Sequence, residues 1–174
     1  MSLVTPRLLS RILDGYALRP NGVHGIAHWA RVLENGRRVG ALTPGADPDV
    51  IELFAVFHDS RRVNDAIDRG HGRRGAELAR ELRGDFFEID DARFALLQAA
   101  CNEHTAGKTQ ADPSVQVCWD SDRLDLLRVG IRPVPFLLCT PSARLQEVMD
   151  WANNRATTFY APPLIKDEWG IDLV

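Results

Sequence analysis

Apolar residues recur along most of the chain at intervals of three and four, which is the spacing of amphipathic helices. From about His24 to Gly36, the apolar positions at this spacing are Ile26, Trp29, Val32 and Leu33. Proline, glycine, asparagine and aspartate residues separate successive segments of this kind. No segment alternates convincingly between apolar and polar residues. The pattern therefore predicts an all-α fold, a compact bundle of several helices.

Capping residues set the limits of the predicted helices. Thr5-Pro6 and Asp47-Pro48 each combine an N-cap side chain with a proline in the first turn, and Asn35-Gly36 is the first stop signal of its helix. Residues 50–57 are apolar nearly all round, which indicates a central, buried helix. The predicted helices cover Pro6 to about Asp14, about His24 to Gly36, Asp49 to about Arg61, Gly70 to Leu82, Asp90 to His104, about Val115 to Val129 and Ser142 to about Ala156.

Composition narrows the class of protein. The chain has 174 residues, of which 45% are hydrophobic and 26% charged, and its formal net charge is -3. This balance favours one domain over residues 1–174, located in the cytoplasm, and argues against a surface for polymeric nucleic acid or for a membrane. Small anions bound locally remain compatible with it. Cys101, Cys118 and Cys139 have apolar neighbours and no CxxC spacing, so we expect reduced core thiols.

Metal-competent side chains occur where structural helices usually carry apolar ones. His58-Asp59 closes the most hydrophobic helix, and adjacent side chains on a helix can reach one point in a cleft. Taken alone, the dipeptide is more simply an ion pair at a helix C-terminus. His24 and His28 are four residues apart and can share a helix face, although His24 is equally well explained as a cap residue.

A second acidic segment follows at Asp120, Asp122 and Asp125, interleaved with apolar residues at helical spacing. A solvated acidic face would explain Asp125 and one of the other two. The apolar neighbours make the segment part of the core, so one carboxylate is expected to point inward.

In order, His28, His58-Asp59 and Asp122 within Ser121-Asp122-Arg123-Leu124 resemble the H…HD…D signature of the HD-domain superfamily of metal-dependent phosphohydrolases. The similarity spans about residues 24–128. It implies an HD-like all-α bundle in which His28, His58, Asp59 and Asp122 bind a divalent metal, with His58 and Asp59 as the catalytic pair. Asp120 stays open as the alternative last ligand, since a shift in helix phase would select it.

Further residues fit the same resemblance. His71 and His104, with His24, are candidates for a second metal or for contact with substrate phosphate, against the simpler interpretation that they only flank helix ends. Arg62 and Arg73 follow the central motifs closely, and guanidinium groups suit phosphate. For either arginine alone, a solvated face is the preferred interpretation, and binding of phosphate is the alternative.

The expected function is hydrolysis of a small phosphorylated molecule, with a nucleotide as the favoured substrate, using one or two divalent ions. The mixed donor set does not select among Mn, Fe, Co, Ni, Zn and Mg. Two alternatives stay open: a helical regulatory or ligand-binding module without turnover, and a diiron oxygenase of the same superfamily. A homodimer could form through residues 134–138 or 160–165, but packing of these apolar segments within the chain is preferred.

Overall fold

The computed structural model describes residues 2–173 and is built from helices. Within that range it contains no strand, only an isolated bridge between Arg83 and Phe87. The predicted all-α bundle is thus confirmed for the described residues. The α-helices are α1 (Pro6–Leu13), α2 (Ile26–Gly40), α3 (Pro48–Phe57), α4 (His71–Leu82), α5 (Asp91–Glu103), α6 (Pro113–Arg123), α7 (Gln146–Thr157) and α8 (Leu164–Asp167), with 3₁₀ helices at Leu126–Val129 and Pro135–Leu137.

Helix α3 is the centre of the bundle, as its composition predicts. Every residue from Val50 to Phe57 is buried, and α3 packs against α2, α4, α5 and α6. Its start follows the predicted signals, because the Asp47 side chain accepts hydrogen bonds from the Asp49 and Val50 amides and Pro48 opens the first turn. The C-terminal end of α3 therefore lies within a ring of helices, and the residues that follow it point into their shared interior.

Several predicted helix limits differ from the structure. Helix α2 continues past Asn35-Gly36 to Gly40, because both residues are buried in helix packing: Asn35 donates to the Ser121 carbonyl, and Gly36 lies against Ile51. The helix predicted to reach Arg61 ends at Phe57. The helix predicted to run to Val129 is divided into α6 and a 3₁₀ helix, and α7 starts at Gln146 instead of Ser142. The other helix ends lie within one or two residues of their predicted positions.

Two glycines let α4 approach its neighbours closely. A Cβ atom on Gly72 would clash with the Cys101 carbonyl of α5, and one on Gly75 would clash with the Phe57 carbonyl at the end of α3. Glycine is required at both positions, since any side chain would push the helices apart. This close packing places the first residue of α4, His71, beside the C-terminal ends of α3 and α5.

The sequence also predicted how the cysteines and two apolar segments pack, and the structure confirms part of this prediction. All three cysteines are free and buried, as predicted. In the segment 160–165, Leu164 and Ile165 pack in the core. In the segment 134–138, Phe136 is 75% exposed, Val134 and Leu137 are exposed as well, and Leu138 is buried. The prediction that residues 134–138 pack within the chain is therefore wrong, except for Leu138. None of the described helices has the length and apolar character needed to cross a membrane.

Candidate metal centre

Five histidines and two aspartates from different elements meet at the end of α3. His28 is on α2, His58 and Asp59 follow α3 directly, His71 begins α4, His104 follows α5, and Asp122 lies in the last turn of α6, with His24 in the loop before α2. Each is at most 9% exposed. Burying so many polar side chains costs free energy unless they are paired or bind an ion.

The first donor group, called the His28 group, consists of His28, His58, Asp59 Oδ2 and Asp122 Oδ1. The Nε2 atoms of the two histidines are 3.1 Å apart, and Asp59 Oδ2 lies 3.6 Å from His28 Nε2 and 3.9 Å from His58 Nε2. Asp122 Oδ1 completes the group at 3.5 and 3.8 Å from the same two nitrogens. Ligands about 2.1 Å from one ion lie roughly 3.0–3.4 Å apart, so these spacings suit one metal after small adjustments.

The second donor group, called the His71 group, uses the other oxygen of Asp59. Asp59 Oδ1 lies 3.1 Å from His71 Nε2 and 3.7 Å from His104 Nε2, and the two nitrogens are 2.9 Å apart. In each group, donor atoms of two histidines and Asp59 lie within 4.8 Å of one another. The two carboxylate oxygens of Asp59 therefore face two separate groups of donor atoms, each of which could hold a metal ion.

Hydrogen bonds fix the tautomer of the four ligand-type histidines. Their Nδ1 atoms donate to protein oxygens: His28 to Asp125 Oδ2 (2.7 Å), His58 to the carbonyls of Phe54 and Ala55 (3.1 Å each), His71 to that of Asp68 (2.6 Å) and His104 to that of Cys101 (2.8 Å). With the proton on Nδ1, a neutral ring directs its Nε2 lone pair into the centre. Each group thus contains two lone pairs about 3 Å apart, which repel unless a cation lies between them.

The same burial shifts the pKa values of these groups. Burial lowers the pKa of His28 well below its usual range and that of His58 to about 4, which keeps both rings neutral. Burial alone would raise the pKa of Asp59, but the surrounding imidazoles outweigh it and hold the pKa well below the usual value. Burial also opposes ionisation of Asp122, and His58 and Arg128 reverse the effect so that its pKa is lowered. The His28 group thus presents neutral imidazoles and ionised carboxylates, the forms that bind metals.

Asp120 and Asp122 have different environments. The Asp120 carboxylate accepts hydrogen bonds from the Cys139 amide (2.6 Å) and from the amide and hydroxyl of Thr140 (2.8 Å each), so it anchors the segment after the second 3₁₀ helix. Among the residues that the structure describes, Asp122 Oδ1 is a buried oxygen that accepts no hydrogen bond. An orphaned carboxylate oxygen beside two imidazole lone pairs suits a metal, so the geometry favours Asp122 over Asp120 as the last ligand.

Asp125 contacts the centre, a placement that the sequence did not predict. The expectation that it lies on a solvated face is wrong, because it is 1% exposed and holds His28 Nδ1. Arg31 in turn donates two hydrogen bonds to Asp125, of 2.8 and 3.0 Å. A carboxylate behind a ligand histidine orients the ring and raises its basicity. The signal available in the sequence was the three-residue spacing from Asp122, which puts both aspartates on one side of a helix.

Of the other candidate residues, His24 and Arg62 contact the centre and Arg73 does not. The ring of His24 differs from the ligand-type histidines because its Nδ1 atom faces the centre, donating to Asp59 Oδ2 over 2.9 Å. The Nη1 atom of Arg62 lies 3.6 Å from Asp59 Oδ1, so Arg62 belongs to the centre. Arg73 does not, since its side chain is 66% exposed and pairs with Glu77. Arg128, which the sequence reasoning did not single out, is 3.9 Å from Asp59 Oδ2.

Comparisons of the chain with protein-family models, with curated proteins and with solved structures found no match. The buried cluster of histidines and aspartates is compatible with the arrangement that the HD-domain resemblance implies. Function is therefore inferred from the geometry of the centre.

Changing Asp125 to asparagine tests whether this carboxylate supports the metal centre. We expect the affinity for Mn²⁺ to fall about 10- to 100-fold, because His28 loses the acceptor that orients its ring. Calorimetric titration of the metal-free protein with Mn²⁺ measures the change. Asp150→Asn, an exposed substitution on α7, is the control. Equal affinity in both variants would contradict the supporting role.

Proposed function

We propose that this protein is a metal-dependent phosphohydrolase that acts on a small phosphorylated substrate, with nucleotides as the first class to test. The observation that carries the proposal is the pair of His–His–Asp groups sharing Asp59, in which two imidazole lone pairs of each group lie about 3 Å apart. Nitrogen and oxygen donors in this number suit divalent transition metals. The described residues thus fit one ion in each group.

The residues of the chain have separate tasks in this reaction. His28, His58 and Asp122 would hold one ion, His71 and His104 the other, and Asp59 both. Divalent ions in such a site lower the pKa of a water molecule and polarise a phosphoryl oxygen. Burial of the ligands excludes bulk water and strengthens every charge interaction with a bound phosphate. The Asp125 carboxylate and the backbone carbonyls keep the rings oriented throughout.

The surroundings favour a small substrate. All the ligands are at most 9% exposed, so access to the centre is narrow. Arg62 and Arg128 supply positive charge next to the centre, whereas the chain as a whole carries a net charge of -3. Charge concentrated at one buried point matches a compact phosphate group better than an extended polyanion.

A metal-dependent hydrolysis screen tests the proposal. The protein is stripped with a chelator, its metal content is measured before and after, and it is reloaded with Mn²⁺ or Mg²⁺ before incubation with nucleotides and other phosphate esters. We expect phosphate release from at least one compound that requires metal and that falls by about 100-fold or more in a His58→Gln variant, because His58 supplies one ligand of the His28 group. An exposed variant, Glu81→Gln, controls for handling.

Two outcomes would replace the proposal. Bound metal with no hydrolysis of any phosphate ester would favour the ligand-binding module. Oxygen consumption by the iron-loaded protein, without phosphate release, would favour the diiron oxygenase.

A further inference from the structure

Two buried arginines face the two sides of the bridging carboxylate. Arg62 Nη1 lies 3.6 Å from Asp59 Oδ1, on the side of the His71 group. Arg128 Nη2 lies 3.9 Å from Asp59 Oδ2, and its Nη1 lies 3.8 Å from Asp122 Oδ1, on the side of the His28 group. These separations are too long for hydrogen bonds. The two arginines are 8% and 7% exposed, so solvent satisfies little of their charge.

Backbone carbonyls hold both guanidinium groups in place. Arg62 donates through Nη2 to the Ala66 carbonyl (2.7 Å) and through Nε to that of Asn64 (3.3 Å). Arg128 donates through Nε to the Val23 carbonyl (2.9 Å) and through Nη1 to that of Asp125 (3.1 Å). The donors left facing the centre are Arg62 Nη1 and Arg128 Nη2. Fixed donors aimed at one point bind an anion without a further loss of side-chain entropy.

Three other arginines of the chain are each neutralised by a carboxylate that accepts two hydrogen bonds. Arg31 has Asp125, Arg37 has Glu168, and Arg74 has Asp68. Arg62 and Arg128 lack such a bidentate pairing among the described residues. Their other contacts around the centre are mainly with histidines: Arg62 Nη1 is 3.4 Å from His71 Nε2, and Arg128 Nη2 is 3.3 Å from His24 Nδ1. Arg128 Nε also lies 3.8 Å from Asp125 Oδ2, a carboxylate that Arg31 already neutralises. A metal that takes the His71 lone pair would release the Arg62 donor for a ligand.

Charge balance identifies the ligand. The two guanidinium groups are offset by the carboxylates of Asp59 and Asp122. Any divalent ion held by those carboxylates adds positive charge that nothing in the buried centre offsets, and this favours a strongly anionic ligand. A phosphate monoester carries up to two negative charges at neutral pH, whereas a diester carries one.

We propose that Arg62 and Arg128 form a two-sided phosphate clamp that selects phosphate monoesters, and inorganic phosphate as their product, over phosphodiesters. The inference rests on the proposed metal centre, because metal binding at Asp59 creates the excess of positive charge. The planar guanidinium groups donate to phosphate oxygens from opposite sides of Asp59. Arg128 thereby gains a role for which the sequence motifs give no indication.

Titration of the Mn²⁺-loaded protein with inorganic phosphate tests the clamp directly. Arg62→Gln and Arg128→Gln are each expected to weaken phosphate binding about tenfold or more, because each removes one charge-assisted donor. Arg73→Gln is the matched control, since Arg73 is exposed and pairs with Glu77. Metal content is measured for every variant. Hydrolysis of p-nitrophenyl phosphate and bis(p-nitrophenyl) phosphate gives the ratio of monoester to diester activity, which should fall in both clamp variants.

The outcomes separate the clamp from the proposed function. Unchanged phosphate affinity in Arg62→Gln and Arg128→Gln, or no phosphate binding by the metal-loaded wild type, would overturn the clamp even if hydrolysis persists. Weakened phosphate binding in both variants supports it even if no ester is hydrolysed, in which case only the hydrolase assignment fails. Arg128 also donates a hydrogen bond to the Val23 carbonyl, so Arg128→Gln could fail to fold. In that case the phosphate affinities of Arg128→Lys and Arg62→Gln decide the question.

Discussion

Replacing Asp59 with asparagine is expected to remove metal from both donor groups and to lower kcat/KM by at least about 1,000-fold, equivalent to about 4 kcal/mol of transition-state stabilisation. The reason is geometric. One oxygen of Asp59 faces His28 and His58 and the other faces His71 and His104, so an amide leaves one group with an NH₂ that cannot bind a cation. Loss of the negative charge weakens the remaining group as well.

Elemental analysis after reloading gives the number of ions bound, and phosphate release gives the activity. Asp65→Asn, on the exposed loop before α4, is a suitable control because its side chain is solvent-accessible. Loss of a single ion from Asp59→Asn, with the other retained at wild-type affinity, would show that Asp59 serves one group only. Unchanged activity in this variant would refute the hydrolase assignment itself.

The helices that position the centre could be predicted from local signals. The Asp47-Pro48 cap and the apolar run of α3 predict a buried central helix, and its buried end puts His58 and Asp59 inside the bundle. Only the resemblance to the HD-domain signature implies that His28, His58-Asp59 and Asp122 meet, because these residues are far apart in the sequence. The helix itself depends on residues close in sequence, where periodicity and capping are informative.

Contacts between distant segments could not be predicted in this way. His28 and Asp125 are 97 residues apart, and Arg128 reaches the centre from a 3₁₀ helix whose altered turn breaks the helical phase of α6. The stop signal at Asn35-Gly36 fails for a similar reason. Glycine there serves close packing of α2 on α3, which the sequence of α2 alone does not reveal.

Asp120 and Asp122 differ by only two positions, but their substitution by asparagine is expected to have opposite consequences. Asp122→Asn should lower the affinity of the His28 group for Mn²⁺ by about 100-fold, because it removes a charged ligand, and should cost little stability, because the buried Oδ1 accepts no hydrogen bond. Asp120→Asn should leave the metal content unchanged and destabilise the fold by about 2–3 kcal/mol, because three donors lose a carboxylate acceptor.

Metal titration and urea unfolding of both variants, the latter in the presence of a chelator, separate these effects. Each variant serves as the control of the other, since both change one buried carboxylate of α6 to an amide. The reverse result, with metal lost on changing Asp120 and stability lost on changing Asp122, would assign the last ligand to Asp120 and would require α6 to be rotated from its position here. A helix lies with one side toward a given neighbour, and positions two apart point in nearly opposite directions. Only one of the two aspartates can therefore serve the centre, and the other is left free to anchor the chain that follows the second 3₁₀ helix.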